Sequence, residues 1–328
     1  MSLSTDPDPT LAFLSTGSHP FIQRAWRTFP VLRKDVRAAG RIVLGQALRS
    51  SRHLRDSQTE VVFRDGRRVR VSGWRELEYV TTLACAVRGF YGRADAGLVD
   101  TLLKERSDVM EDLRTRYEME KRPVGAVGGG PGAKEILLYL LVLRYKPDVI
   151  VETGVAQGVS SRYILRAMSK VDAGTLLSID LPPHDPSGYK YADGRLDPTF
   201  VPEELGVGWL VPRELRGRWE LRLGRSSDEL PKIRGSVDVF FHDSEHSYET
   251  MMLEYTWARA HLSSSGFLAS DDLSWSKAWK DFHAGEGRDF RVLVEGNIGL
   301  SRRTGAAPSG GAPQNLPPKL KDRPGGAP

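Results

Sequence analysis

The stretch Val149-Ile-Val-Glu-Thr-Gly-Val-Ala-Gln-Gly-Val-Ser-Ser161 constrains this chain more than any other. A short apolar run that closes on an acid and then on a glycine-bearing turn reads as a buried parallel strand passing into a loop and a helix. In an open α/β sheet, ligands sit in the crevice beyond the carboxyl ends of such strands. The spacing also narrows the ligand. A pyrophosphate cradle uses Gly-x-Gly-x-x-Gly so that backbone amides can approach phosphate. Here Glu152 precedes one turn glycine, Gly154, and the next glycine is Gly158. A carboxylate in that place repels phosphate and favours an ammonium. The next strand, Thr175-Leu-Leu-Ser-Ile-Asp180, ends on an acid able to accept hydrogen bonds from both hydroxyls of a ribose. An adenosine that carries an amino group and no phosphate fits these demands.

Strand and helix alternate through the middle of the chain, which implies a doubly wound α/β sheet. Strands are predicted near 148–152, 175–180, 219–223, 237–241 and 266–270, with Phe290 to Val294 and Ile298 to Arg302 as a closing hairpin. Lys134 to Tyr145 reads as a helix leading into the first strand, and the glycine-rich Gly125 to Gly132 as the hinge before it. Residues 1–122 read as a mostly helical N-terminal cap. A helix is expected over Val31 to Leu54, two short strands around an Asp65-Gly66 turn, and helices over Trp74 to Phe90 and Ala94 to Glu120. These helices could pair two subunits into a homodimer. The segment 304–328, rich in proline and glycine, has too little apolar surface to fold and is expected to be disordered.

Composition restricts the setting. The formal charge of +5 is modest for 328 residues, and 40% hydrophobic content suits a globular domain. No apolar run reaches membrane-spanning length, and Met1-Ser-Leu-Ser-Thr-Asp-Pro lacks a basic segment followed by an apolar one, so a cytoplasmic location is expected. The single cysteine, Cys85, excludes an internal disulfide and a cysteine-cluster zinc site. Arg64, Arg67, Arg68 and Arg70 crowd one segment, but no aromatic residues interleave them, and a solvated surface is favoured over a nucleic-acid face.

Four segments, Val151 to Ser160, Ser178-Ile-Asp180, Gly224-Arg-Ser226 and Val237 to Glu249, resemble in order and position the motifs of class I S-adenosylmethionine-dependent methyltransferases. The resemblance covers about residues 123–303. It implies a Rossmann-like sheet of seven strands, six parallel and one antiparallel. It also implies S-adenosyl-L-methionine as cofactor, S-adenosyl-L-homocysteine as product, and cofactor contacts from Glu152, Gly154, Gly158, Ser160, Ser161, Asp180, Ser226 and Asp243.

A second cluster follows the fourth and fifth strands of this domain. Asp243 sits at a strand end, His246 is expected in the first turn of the next helix, and Ser270-Asp-Asp272 ends the next strand. Adjacent strands lie about 4.8 Å apart, so Asp243, Asp271 and Asp272 can converge, and converging carboxylates repel unless a cation joins them. A hard divalent ion with oxygen ligands, magnesium above all, answers that need. The set resembles the magnesium site of catechol-type O-methyltransferases, with aspartate in place of an amide and His246 where that type has a lysine. It is more similar still to bacterial O-methyltransferases acting on macrolide sugars and to the cephalosporin-hydroxylase group. The resemblance implies O-methylation of a small-molecule hydroxyl, on a natural product or sugar; His246, whose imidazole can take a proton near neutral pH, is assigned on chemical grounds as general base, with Asp243 beside it.

Two alternatives stand beside this reading. One is a nucleic-acid or protein methyltransferase using the basic N-terminal region. Amine-methylating enzymes of nucleic acids place Pro-Pro and an aromatic after the acid, whereas this chain has His242-Asp243-Ser244. The other is a non-catalytic or hydroxylase-like relative that binds the same cofactor. The long insert His184 to Arg218 reads either as a lid or binding loop, with Tyr189, Tyr191 and Trp209 walling an acceptor pocket, or as a loop that merely covers the surface, and substrate choice is expected to be made there.

Overall fold

Apolar runs separated by amphipathic segments fold as expected into strands flanked by helices. The computed structural model describes residues 12–14, 58–62, 68–72, 83, 87, 90–91, 96–120, 133–183, 201, 203–284, 290–295 and 298–303. The chain divides into two units, residues 1–112 and 113–328.

In the first unit, β1 (Ala12–Leu14), β2 (Gln58–Val62) and β3 (Arg68–Ser72) form an antiparallel sheet in that order. Val62 lies opposite Arg68, so the hairpin expected here has its two strands, while its Asp65-Gly66 turn lies outside the described residues. Helix α1 (Ala96–Met119) starts in this unit and ends in the next. The helix expected over Val31 to Leu54, most of that over Trp74 to Phe90, the hinge, Tyr189, Tyr191 and the segment beyond Thr304 also lie outside the described residues.

The second unit opens with α2 (Ala133–Tyr145), in which every residue from Ile136 to Val142 is at most 3% exposed. A helix that is apolar all round has to be enclosed. The chain then runs through β4 (Val149–Thr153), α3 (Val159–Val171), β5 (Thr175–Asp180), β6 (Trp219–Leu223), the short α4 (Ser226–Glu229), β7 (Val237–His242), α5 (Tyr248–His261), β8 (Leu262–Ser270), α6 (Ala278–Ala284), β9 (Phe290–Glu295) and β10 (Ile298–Arg303). The sheet order is β6-β5-β4-β7-β8-β10-β9. Strands β6 to β8 in that order are parallel, and β10 pairs antiparallel with both β8 and β9.

The core lies between sheet and helices. Helix α5 buries Met251, Tyr255 and Ala258 at helical spacing against Phe240, Leu268, Trp279 and Phe282. On the other side of the unit, α2 meets α3 through Tyr139 and Tyr163, edge to face at 6.2 Å. After β4 the chain builds outward to β5 and β6, then returns to place β7 on the other flank of β4. The topological switch point is therefore between β4 and β7, where such a sheet opens a crevice. Among the described residues, no helix is long and apolar enough to cross a membrane.

Candidate functional site

The turn after β4 is held from inside by Glu152, which is fully buried. Its carboxylate accepts hydrogen bonds from Ser160 Oγ (2.6 Å) and Ser161 Oγ (2.6 Å) in the first turn of α3, and from Ser178 Oγ (2.7 Å) on β5. Trp219 Nε1 on β6 donates to the same Ser178 hydroxyl at 2.9 Å. Burial pushes the Glu152 carboxyl above its ordinary range, and the three hydroxyls pull it partly back. Glu152, Ser160 and Ser161, all expected as cofactor contacts, thus face one another, and with Ser178 they tie β4, α3 and β5 together.

The two glycines are required by close approach. Gly154 has φ +81°, and a Cβ there would overlap the carbonyl oxygen of Asp243. Gly158 has φ +92°, and a Cβ would lie 2.8 Å from Val211 Cγ2 and 2.9 Å from Gly208 Cα. These neighbours belong to the insert, whose described part braces the turn: Gly208 N donates to Ala156 O at 2.8 Å, and Leu210 N to Gln157 O at 3.0 Å. Tyr117 Oη donates to Gln157 Oε1 at 2.8 Å and stands edge-on to Trp209 at 5.5 Å. Trp209, expected to wall an acceptor pocket, is therefore packed beside the turn. Asp180 also serves it. Its Oδ2 accepts from Val155 N (2.8 Å) and Ala156 N (2.6 Å), and its Oδ1 from Leu181 N (2.7 Å). Burial raises its carboxyl, against the pull of those amides.

Across the switch point, Asp243 follows the last residue of β7 and Asp271 the last of β8. The ladder aligns them: Asp243 N donates to Thr153 O, and Asp271 N to His242 O. The cation between them is a lysine that sequence reading placed only in a helix. Lys134 Nζ lies 2.8 Å from Asp243 Oδ2 and 2.7 Å from Asp271 Oδ2. Burial works against its charge, but Asp243 and its other acidic neighbours hold the ammonium well above its ordinary range. One ammonium offsets one of two carboxylates. Burial pushes Asp243 up to about 7, with Lys134 opposing and Asp271 reinforcing the rise.

Asp272 takes a different direction. Its φ is +50°, and its Oδ2 lies 3.1 Å from His246 Nε2, at ion-pair distance without the alignment of a hydrogen bond. His246 precedes the Ser247 N-cap of α5, rather than lying in the first helical turn as expected, because the Ser247 hydroxyl accepts from Thr250 N and starts the helix there. His246 Nδ1 sits on the carbonyl of Ser244, which assigns its proton to Nδ1 in the neutral ring and leaves Nε2 as the basic nitrogen. Burial lowers its basicity, but Asp272, Asp243 and the Ser244 carbonyl raise it, and the net shift is upward. The Trp275 indole, 69% exposed, stands edge-on to His246 at 5.5 Å.

Behind this cluster lies a network with no exposed member at its centre. Glu254 on α5 is 0% exposed and accepts from His242 Nδ1 (2.6 Å), Thr153 Oγ1 (2.5 Å) and Ser244 Oγ (2.8 Å), with a further bond from Ser226. Ser226, expected near the cofactor, is thus also turned toward a buried carboxylate. Burial would raise Glu254, but His242 and its other donors bring it below its ordinary range. Sequence reading missed Glu254 and Lys134, and both left a signal. Glu254 is an acid on the apolar face of a helix, between Met251 and Ala258. Lys134 is a cation in the first turn of α2, where the helix dipole disfavours it.

As placed, these residues do not fit the magnesium expected from the sequence. Such an ion takes six oxygens at about 2.0–2.1 Å, one or two of them from carboxylates and most of the rest from water, and needs the space between those carboxylates. Here two carboxylate oxygens converge, on an ammonium, and the third aspartate is turned to a histidine. Among the described residues, no group of three or more acids, histidines or cysteines is arranged to hold a metal.

Residues 151–273 match a family model described as a methyltransferase domain. No curated protein matches the chain. Among solved structures, the chain is similar to the O-methyltransferase TomG of Streptomyces achromogenes, involved in tomaymycin synthesis and solved with SAM. The identity is 18%, covering 60% of this chain and 90% of that one, with a TM-score of 0.43. It is also similar to an O-methyltransferase of Bacillus cereus in complex with SAH (14%, 68% and 99%, TM-score 0.42). A methyltransferase of Geobacter sulfurreducens is a third likeness (20%, 64% and 94%, TM-score 0.40). Identities and scores this low leave all three as likenesses only.

Proposed function

We propose that this protein, whose residues 151–273 match a methyltransferase family model, uses S-adenosylmethionine to methylate a hydroxyl of a small molecule, a natural product or sugar. The reading is carried by one juxtaposition: the Gly154–Gly158 turn and the Asp243, Asp271 and His246 cluster border the same switch-point crevice, with Gly154 pressed against Asp243 itself. A donor bound over the turn has its methyl group next to groups able to take a proton.

The cofactor contacts expected from Glu152, Gly154, Gly158, Ser160, Ser161, Asp180, Ser226 and Asp243 divide into three kinds on this reading. The glycines let the donor approach the turn backbone, and the buried Glu152, Ser160, Ser161 and Ser226 keep that turn in shape. Asp180 and Asp243 remain as the acids at the crevice edge, for ribose and amino group respectively.

The reaction is an in-line displacement. S-adenosylmethionine, if bound over the turn, would supply the methyl group and leave as S-adenosylhomocysteine, and the acceptor's hydroxyl proton would have to pass to a base. His246 Nε2 is that base, and Asp272 stabilises the imidazolium formed. Asp243, poised near neutral pH, lies close enough to favour the same charge. The exposed face of Trp275 offers the acceptor ring a surface beside His246. Calorimetry with S-adenosylmethionine, followed by transfer of labelled methyl to a panel of small hydroxyl compounds, tests the reading. Absence of cofactor binding would sink it.

A further inference from the structure

We propose that Lys134 is the resident cation of the acceptor site, doing with an ammonium what a divalent ion would otherwise do, so that the site neither needs nor binds such an ion. The inference rests on the function proposed above for its meaning, and on the geometry of three side chains for its content. The Asp243 and Asp271 oxygens that an ion would have to share are already joined through Lys134 Nζ at 2.8 and 2.7 Å. The three side chains are only 27%, 18% and 16% exposed, so their mutual attraction is weakly screened by solvent.

Position and chemistry agree. Lys134 reaches the site from the first turn of α2, a helix anchored by an unbroken buried run from Ile136 to Val142, so its backbone is fixed while its stem spans to the strand ends. A lysine has three N–H donors. Two meet the aspartates, and the third can meet the acceptor oxygen, orienting it and offsetting the negative charge that grows on it as its proton departs. Lys134 on this account is a catalytic residue, and Asp243 and Asp271 are the groups that aim it.

The test uses the full-length protein and manganese as the probe. Electron paramagnetic resonance of Mn2+ reads free aqueous ion directly, with no need for a known acceptor. The wild-type protein is expected to leave the aqueous signal intact at millimolar Mn2+. Lys134→Met, which keeps the stem and removes the charge, is expected to bind Mn2+ at least about tenfold more tightly than wild type, and the gain should vanish in Lys134→Met/Asp243→Asn. The proposal is overturned if wild type binds one Mn2+ that Asp243→Asn or Asp271→Asn abolishes. That arm needs no Lys134 variant, so it stands even if Lys134→Met does not fold. Calorimetry with S-adenosylmethionine on the same wild-type sample keeps the two readings separate: manganese binding alongside cofactor binding removes only the lysine's role, and failed cofactor binding removes the function proposed.

Discussion

At the scale of single residues, two buried glutamates organise the site and do so with opposite electrostatics. Glu152 faces neutral hydroxyls, whereas Glu254 faces an imidazole, and this difference lets burial win in the first and lose in the second. Replacing Glu152 by alanine leaves three buried hydroxyls without their acceptor. Unsatisfied groups of this kind cost about 1–3 kcal/mol each, so urea unfolding of Glu152→Ala should show a loss of about 3 kcal/mol or more, against about 1 kcal/mol for Ser178→Ala. The base has its own signature. His246 is raised above the usual imidazole range, and a protonated ring cannot accept the hydroxyl proton. The turnover rate should therefore be low on the acid side and rise with pH through that elevated value. His246→Asn should lower turnover by about 10²-fold or more while leaving cofactor affinity, read by calorimetry, within about twofold.

At the scale of elements, the contact between the β4 turn and the β7 end decides whether donor and acceptor meet. Gly154→Ala imposes both a strained positive φ and an overlap with the Asp243 carbonyl, so one of the two strand ends must move. A displacement of about 1 Å can cost about 10²-fold in rate, and cofactor affinity should fall as well, since the turn itself is displaced. Gly208→Ala is the control on the insert. There a Cβ would overlap the Trp219 indole, which donates to Ser178, so its effect should reach the turn through Glu152 and appear first as lost stability. Trp275→Ala removes an exposed ring that stands edge-on to His246. It should raise the acceptor KM while unfolding at an unchanged denaturant midpoint.

At the scale of the whole molecule, ligand and proton linkage report on the same unit. If S-adenosylmethionine occupies the crevice, a concentration of 100 Kd should stabilise residues 113–328 by about 2.7 kcal/mol, visible as a raised melting temperature. The proton linkage has a definite sign. Glu254 is depressed in the folded state, so it stabilises the fold above the ordinary carboxyl range, and that contribution fades as pH falls through its lowered value. Glu152 and Asp180 are raised, so each favours the fold when protonated, and each gives up stability as pH rises from the ordinary range to its folded value. Melting curves between about pH 3 and 7 should show Glu254→Gln losing the acid-side fall that wild type retains.

The strand positions, the parallel order and the turn at Gly154 were legible in the sequence, because a local run of apolar residues ending on an acid and a glycine has few other structures to form. The convergence of Asp243 with Asp271 was legible for the same reason, since both close adjacent strands of predictable order. The partners of those acids were decided by tertiary structure alone. Lys134 is 109 residues from Asp243 in the chain, and only the packing of α2 against the sheet brings its ammonium to the carboxylates. Glu152 illustrates the same limit: its position at a strand end was clear, but which way its carboxylate faced depended on Ser160, Ser161 and Ser178 arriving from two other elements. Sequence specifies where charges lie along elements; the folded neighbours specify what neutralises them, because in a buried site a charge is held by whichever partner the fold places within about 3 Å.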